Sequence, residues 1–161
     1  MELTRHFPPD VLAAALDDWA WLPDLAGKEP LVLSAFGDVF LTSDDGVWFL
    51  DTIEGTVTRE WDHAADLQDA LNSIEGQDRY LLLGLVEAAA VAGIEPDASE
   101  VLAFKKAPIL GGEFAVENLQ VSDFTVALSL SGQLHRQLSQ LPPGTRISEF
   151  TFDQDRVRDQ D

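Results

Sequence analysis

The sequence predicts an α+β protein in which an antiparallel sheet packs with several helices in a single compact unit. Segments rich in β-branched and aromatic residues follow one another directly between residues 31 and 61. Apolar side chains recur at helical spacing before and after those segments. Strands and helices therefore form separate runs, which favours α+β over a doubly wound sheet. The 161 residues, 45% of them hydrophobic, suffice for one ordinary domain or two small ones that share a core.

The first helix is predicted in FPPDVLAAALDDWAWL. Proline stands near its first turn, which its fixed φ favours. Apolar residues follow at helical spacing, namely Val11, Leu12, Ala15, Leu16 and Trp19. Pro23 and the DLAGKEP segment are predicted to end this helix.

Four strands are predicted next, in LVLSAF, GDVFLTS, VWFLDTI and TVTREW. Turns at Asp44-Asp45-Gly46 and Glu54-Gly55 precede the third and the fourth strand. Short turns between consecutive strands predict an antiparallel meander.

Two helices and a loop follow the meander. DHAADLQDALNSI predicts a helix that Gly76 caps, because glycine accepts the left-handed conformation at a helix end. DRYLLLGLVEAAAVAG is apolar over most of its circumference, which predicts one buried helix ending at Gly93. IEPDASE is expected to be a loop.

The last part is predicted to hold the loop AFKKAPILGGEF, a short strand near Leu119–Val121, and a helix from about Asp123 to Leu141. LPPGT ends that helix, and RISEFTF is expected to be a final strand. We expect His135 to be half-buried and hydrogen-bonded at the edge of the apolar stripe of this helix. The stripe comprises Val126, Leu130, Leu134, Leu138 and Leu141.

Charge is the outstanding bulk property. Twenty-nine acidic residues against ten basic ones give a net charge of −19. This sign argues against direct nucleic-acid binding, which needs cations for the phosphates. It suits either general solubility or attraction to a basic protein partner. There is no cysteine, no long apolar run and no signal-peptide pattern at the N-terminus, so a cytoplasmic protein is expected.

No pattern in the sequence indicates catalysis. Lys105 and Lys106 precede Gly111-Gly112 in the wrong order for a P-loop, and Glu113 beside the glycines would repel phosphate. We expect the glycines to supply positive φ angles or close backbone approach. None of the three histidines has metal-ligand spacing to another, and serine or cysteine nucleophile motifs are absent. Neither an enzyme nor a cofactor or metal is therefore expected.

The residues from Leu102 to Ile147 resemble a known family. The blocks are LGGEF at Leu110–Phe114, NLQVSD at Asn118–Asp123, SLSGQLHRQ at Ser129–Gln137 and LPPGT at Leu141–Thr145. In this order they are similar to the C-terminal domain of type VI secretion immunity proteins, which protect bacteria against DNase effectors. The preceding part resembles the GAD-like region that comes before that domain. The resemblance implies a GAD-like region at 1–100, the C-terminal domain at 101–152 sharing its core, and an acidic tail at 153–161.

The resemblance implies a cytoplasmic protein, not an enzyme, that binds a basic, nucleic-acid-degrading effector toxin and occludes its substrate groove or active site. Neither direct nucleic-acid binding nor membrane binding is expected. The alternative is an acidic module that binds or regulates another protein without any toxin. The expected toxin contacts are Asp38, Asp44, Asp45, Asp51, Glu54 and Glu60 on strands and turns, and Glu113 and Glu117 in the motif. Glu113 could instead accept backbone amides within the double-glycine bend.

Overall fold

The structure is a computed structural model that describes residues 1–142. The RISEFTF strand and the acidic tail predicted from the sequence lie outside these residues. The α+β class is confirmed: residues 1–142 form a five-stranded antiparallel sheet, a separate two-stranded sheet and five α-helices.

The five-stranded sheet is the predicted meander with one additional strand. Its strands lie in sequence order: β1 Thr4–Arg5, β2 Glu29–Ser34, β3 Val39–Ser43, β4 Gly46–Asp51 and β5 Thr56–Trp61. Every neighbouring pair is antiparallel. Strand β1 is too short to show an alternating pattern, and the sequence did not predict it.

Helices cover both faces of this sheet because its strands alternate apolar side chains between two clusters. On one face, Leu33, Val39, Leu41 and Leu50 pack with α1 (Pro9–Leu16), the 3₁₀ turn Asp17–Trp19 and α5 (Phe124–Ser139). On the other face, Phe40, Val47 and Phe49 pack against α2 (Ala64–Leu71) and α3 (Ile74–Leu81).

A β-bulge in β5 directs one tryptophan to the second of these faces. Val47 pairs with Trp61 and Trp48 with Arg59, so Glu60 is the extra residue. The bulge places the Trp61 ring 4.9 Å from the Tyr80 ring of α3.

The single helix predicted over residues 78–93 is wrong. Leu82, with φ +53°, separates α3 from α4 (Leu83–Val91). Gly76 is not the cap of the preceding helix, since α2 ends at Leu71 and Gly76 lies inside α3. Ser73 begins α3 by accepting the Gly76 N–H at 3.0 Å, so a new N-cap replaces the expected C-cap. Helix α4 is buried on one side only, and its Val91 is 91% exposed.

The second sheet pairs β6 (Glu100–Phe104) with β7 (Leu119–Asp123). The sequence predicted β7 but placed the residues of β6 in loops. Leu102 and Leu119 pack with Phe36 and with the α4 residues Val86 and Ala89. The Leu102 N–H donates to the Ala35 carbonyl at 2.8 Å, which ties β6 to the connection between β2 and β3.

Helix α5 has nearly the predicted length but buries a different face. Asp123 is its N-cap and accepts the Val126 N–H at 3.1 Å. Of the expected apolar stripe only Leu134 is buried. The buried face instead contains Phe124, Thr125, Leu128, Ser129, Gly132 and His135. No helix in residues 1–142 is long and apolar enough to cross a membrane.

Candidate protein-binding surface

The carboxylates of the strands and turns predicted to contact a toxin lie at two opposite ends of the β3–β4–β5 hairpins. Asp44 and Asp45 form the β3–β4 turn, and Glu60 lies at the same end in the bulge of β5. Asp51 and Glu54 lie at the other end, in the β4–β5 turn. Since strands rise about 3.4 Å per residue, the length of β4 separates the two ends by about 17 Å. The set therefore does not form one continuous patch.

At the first end, Asp45 is held by neighbouring donors. The Trp48 Nε1–H donates to its carboxylate at 3.0 Å, and the Ser43 hydroxyl donates to the same oxygen. These hydrogen bonds lower the pKa of Asp45. Arg59 donates to the Asp45 carbonyl at 2.6 Å and pairs with Asp62 at 2.5 Å. Arg59 thus places a cation beside the carboxylates at this end. The Asp45 carboxylate stabilises the turn through its hydrogen bonds with Ser43 and Trp48.

Glu60, at the same end, is also occupied. Its carboxylate accepts from the Tyr80 hydroxyl at 3.4 Å and lies 3.9 Å from the Arg79 guanidinium. Burial and, to a smaller extent, the negative charge of Glu60 raise the pKa of Tyr80. Glu60 therefore ties the bulge of β5 to helix α3.

Asp38 is not a surface residue, although the sequence analysis placed it among the contacts. It is 2% exposed. Its carboxylate accepts the Ser34 hydroxyl at 2.9 Å, the Thr52 N–H at 2.9 Å and the Thr52 hydroxyl at 2.6 Å. Burial, with the nearby negative charge of Asp51, raises the pKa of Asp38 to about 6. Asp38 therefore joins the β2–β3 connection to the β4–β5 turn through buried hydrogen bonds.

The second end is built on the turn Thr52–Gly55. Asp51 accepts the N–H groups of Ile53 and Glu54, both at 3.0 Å, which closes the turn. Glu54 itself is exposed. His135 of α5 lies against this turn, with Nε2 3.0 Å from the Thr52 carbonyl.

His135 is hydrogen-bonded as predicted but buried rather than half-buried, at 6% exposure. Burial lowers its pKa below 6.5, against smaller opposing contributions from the Thr52 carbonyl and Asp51. Its ring lies so close to Gly55, whose φ is +78°, that a methyl group there would overlap it. His135 therefore positions the turn that presents Glu54.

Glu113 and Glu117 lie in the bend between β6 and β7, and both are exposed. The side chain that closes this bend is Asn118, which the sequence analysis did not single out. Its Oδ1 accepts the Lys106 N–H at 2.9 Å, and its Nδ2 donates to the Lys106 and Glu113 carbonyls, each at 2.9 Å. Asn118 thus has the structural role that was considered for Glu113.

The double glycine has the two properties predicted for it. Gly111 has φ +94°, in the left-handed region that favours glycine. A side chain on Gly112 would overlap the Lys106 carbonyl. The glycines therefore allow the tight backbone of this bend.

A groove of about 430 Å³ lies between α5 and the second sheet. It was not predicted, because its walls come from segments far apart in sequence. Leu130, Ser131 and Leu134 of α5 line one side, and Ala103 and Gln120 line the other. Lys105 and Lys106 complete its lining where the bend begins.

The residues predicted for the site thus fall into two classes. Asp38, Asp45, Asp51 and Glu60 hold parts of the fold together through their carboxylates. Asp44, Glu54, Glu113 and Glu117 are exposed, and their carboxylates accept no hydrogen bond from residues 1–142. Over the same range no group of three or more potential ligand side chains is arranged to hold a metal ion.

Comparison with known proteins gives a distant structural likeness. No family model matches the chain, and no curated protein matches it. Among solved structures, the crystal structure of Atu4351 from Agrobacterium tumefaciens is similar with a TM-score of 0.45 and 19% sequence identity. The match covers 76% of this chain and 61% of Atu4351. A likeness at this level has no bearing on function.

Proposed function

We propose that this chain is a cytoplasmic immunity protein that binds a basic effector toxin and neutralises it without catalysis. The type VI secretion family that its C-terminal motifs resemble suggests a nuclease as the toxin. The observation that carries the proposal is an acidic surface that the chain itself leaves largely unneutralised.

Few of the carboxylates are buried or paired. Within residues 1–142, only Asp18 and Asp38 are buried among the acidic residues. Three ion pairs form in that range, Arg5–Glu2, Arg59–Asp62 and Arg79–Glu60. The segment from Asp10 to Glu100 carries 20 acidic residues against 3 basic ones. Most of these carboxylates therefore have no cation paired with them among residues 1–142.

This electrostatic pattern suits the inhibition of a nuclease. A nuclease must present cations to the phosphates of its substrate. An acidic protein is attracted to the same cations, associates rapidly by electrostatic steering and excludes the nucleic acid while bound. Inhibition by occupancy needs no reactive group in the inhibitor.

Four carboxylates are the best candidates for direct contact. Asp44, Glu54, Glu113 and Glu117 are exposed and have no structural hydrogen bond within residues 1–142. Because they have no such role in the fold, their replacement tests binding with little effect on stability. The remaining predicted residues support the turns and the bulge that present them.

The surroundings of His135 also favour binding over acid–base chemistry. Its Nε2 is engaged by the Thr52 carbonyl, and its ring is packed against Gly55. The groove that His135 adjoins has no Asp or Glu among its lining residues in the described part of the chain. The carboxylate partner that a histidine commonly uses in general acid–base catalysis is therefore not among these lining residues.

The test is co-expression with the toxin encoded next to this protein, followed by measurement of survival and of complex formation. We expect survival, and a one-to-one complex whose association rate falls as salt increases. The substitutions D44N, E54Q, E113Q and E117Q together should slow association by about tenfold, with unchanged thermal stability.

A matched control neutralises exposed acids elsewhere, E75Q and D78N in α3 with E87Q and E95Q around α4. It should slow association less than the first set. If the protein neither protects cells from any toxin encoded beside its gene nor forms a complex with one, the proposal is contradicted. Binding to a basic protein that is not a toxin would favour the alternative of an acidic regulatory module.

A further inference from the structure

We infer that the groove between α5 and the second sheet binds an extended peptide segment of a partner protein that carries both apolar and acidic side chains. The lining of this site is opposite in charge to the acidic surface, which it adjoins at the Thr52–Gly55 turn and in the bend between β6 and β7. The inference goes beyond the proposed function and does not depend on it.

The groove has two complementary walls. Alternation along the strands places Ala103, Gln120 and Ser122 on the face of the second sheet opposite to Leu102 and Leu119, which pack on α4. All three line the groove, together with Leu130 and Leu134 of α5. Its volume of about 430 Å³ falls within the range of about 300–1,000 Å³ found for ligand sites.

The α5 wall is an apolar stripe that residues 1–142 only partly cover. Of the stripe residues, Leu130 and Leu134 line the groove, and Leu130 is only half-buried. The other side of α5 is the one that packs against Trp19 and the 3₁₀ turn. The stripe therefore offers apolar area to an additional segment, which burial would stabilise.

The charge of the groove selects an acidic ligand. In a chain with 29 acidic residues, no Asp or Glu lines this groove within the described residues. Lys105 and Lys106 line it, are exposed, and form no ion pair with residues 1–142. Two ammonium groups without an ion pair in residues 1–142, beside an apolar wall, complement a segment that carries both apolar and acidic side chains.

Polar groups between the walls favour a peptide over a lipid. The Gln120 amide makes no hydrogen bond with residues 1–142, and it is exposed at the groove. An amide can both donate to and accept from a peptide backbone. The hydroxyls of Ser122 and Ser131 lie in the same lining. These hydroxyls already donate within the fold, Ser122 to the Asp123 carbonyl at 3.4 Å and Ser131 to the Leu128 carbonyl at 3.0 Å. A hydrocarbon chain would therefore leave the Gln120 amide without a partner, whereas an extended backbone can satisfy it.

The bend holds the two lysines without using their side chains. The N–H and the carbonyl of Lys106 are both bonded to the Asn118 side chain, and the Lys105 N–H donates to the Asn118 carbonyl at 2.7 Å. The backbone that presents the ammonium groups is therefore fixed before binding, which lowers the entropic cost of association.

The experiment uses the full chain and a fluorescein-labelled, end-capped peptide of leucine and phenylalanine followed by two aspartates. We expect saturable binding in fluorescence anisotropy. The peptide with asparagine in place of aspartate should bind about three- to tenfold more weakly, as should the aspartate peptide to a K105Q/K106Q variant. The variant K28Q/R136Q carries the same change in charge outside the groove and should bind like the wild type.

Two further measurements keep the result interpretable. Q120A and L130Q should each weaken binding, with the unfolding midpoint reported for both, because Leu130 contributes to packing. A photo-reactive amino acid at Gln120 should cross-link the peptide. Equal binding of the two peptides, or equal affinity of K105Q/K106Q and K28Q/R136Q, would overturn the inference. So would a cross-link formed only within the chain, to residues after Pro142.

Discussion

Two buried polar side chains, Asp38 and His135, hold the β4–β5 turn from opposite sides. Asp38 accepts two hydrogen bonds from Thr52, and His135 contacts the Thr52 carbonyl. Buried polar groups must be paired, and here the pairing joins three segments far apart in sequence. The position of the turn, and hence of Glu54, therefore depends on these residues.

Because of this burial, the contribution of Asp38 to stability should depend on pH. Its pKa is 3.8 in the unfolded chain and about 6 in the fold, so the fold favours the protonated form. The contribution is complete below pH 3.8 and is lost as pH rises through about 6. The change corresponds to about 3 kcal/mol.

The measurement is urea unfolding of the wild type and of D38N at several pH values. We expect the stability difference, wild type minus D38N, to fall by about 2–3 kcal/mol between pH 4 and pH 7.5. His135 has the opposite dependence, because its lowered pKa removes stability as pH falls. It is present in both chains, so its effect cancels. A difference that does not vary with pH would contradict the prediction.

Gly55 should tolerate no side chain because the His135 ring occupies the space. G55A is expected to destabilise the protein by about 2–4 kcal/mol, combining positive φ with steric overlap. Gly93 is the matched control, since it has the same φ of +78° and no atom within 4 Å of its potential Cβ. G93A should cost only about 1–2 kcal/mol. Stability is measured by thermal or urea unfolding. Equal losses of stability in G55A and G93A would contradict the prediction, because the His135 ring would then move aside at little cost.

At the scale of elements, the packing of α5 against the N-terminal segment organises one face of the sheet. Trp19 Nε1 donates to the Leu128 carbonyl at 2.9 Å, and Trp21 Nε1 donates to the Gly132 carbonyl at 3.2 Å. Buried Asp18 accepts the Ser129 hydroxyl. These hydrogen bonds all lie on the face of α5 that carries the small residues Ser129 and Gly132. This face is therefore buried, and the leucine stripe is not.

Gly132 makes this close approach possible. A Cβ there would lie 2.6 Å from the Asp18 carbonyl oxygen and 3.0 Å from Trp19 Cδ1. Glycine to alanine within a helix ordinarily stabilises by about 1 kcal/mol. We expect G132A to destabilise instead, by about 1–3 kcal/mol, through the displacement of the Trp19 segment.

The control for this prediction is G84A in α4, where nothing lies within 4 Å of the potential Cβ. It should be neutral or stabilise by up to about 1 kcal/mol. The measurement is the thermal unfolding temperature of G132A and of G84A, each compared with the wild type. If G132A proves as stable as G84A, the close contact is not a determinant of the packing.

At the scale of the whole molecule, the dominant property is a net charge of −19. Only three ion pairs form within residues 1–142, so most acidic side chains in this range have no cation paired with them. A compact state with so much charge of one sign repels itself, which lowers its stability relative to the unfolded chain.

Salt should therefore stabilise this protein. We expect the unfolding temperature to rise by several degrees between about 0.01 M and 0.2 M sodium chloride, as the screening length falls from about 30 Å to less than 10 Å. Replacement of the exposed Glu87 by glutamine should raise stability slightly at low salt and lose that effect at high salt. A melting temperature that falls with added salt would contradict this expectation.

The sequence by itself determined the fold class, the meander from Glu29 to Trp61, and the approximate extent of α5. These follow from local signals: side-chain periodicity, turn residues and the Asp123 cap. It also determined the requirement for glycine at 111 and 112, because backbone conformation and close approach constrain glycine locally.

Only the tertiary structure decided which face of α5 is buried, where the helix over residues 78–93 breaks, and which carboxylates are structural. Asp38 and Asp44 are close in sequence and chemically identical, yet one is buried against Thr52 and the other is exposed. The difference arises from partners brought together across the fold. A burial pattern set by non-local contacts cannot be read from the spacing of residues along the chain.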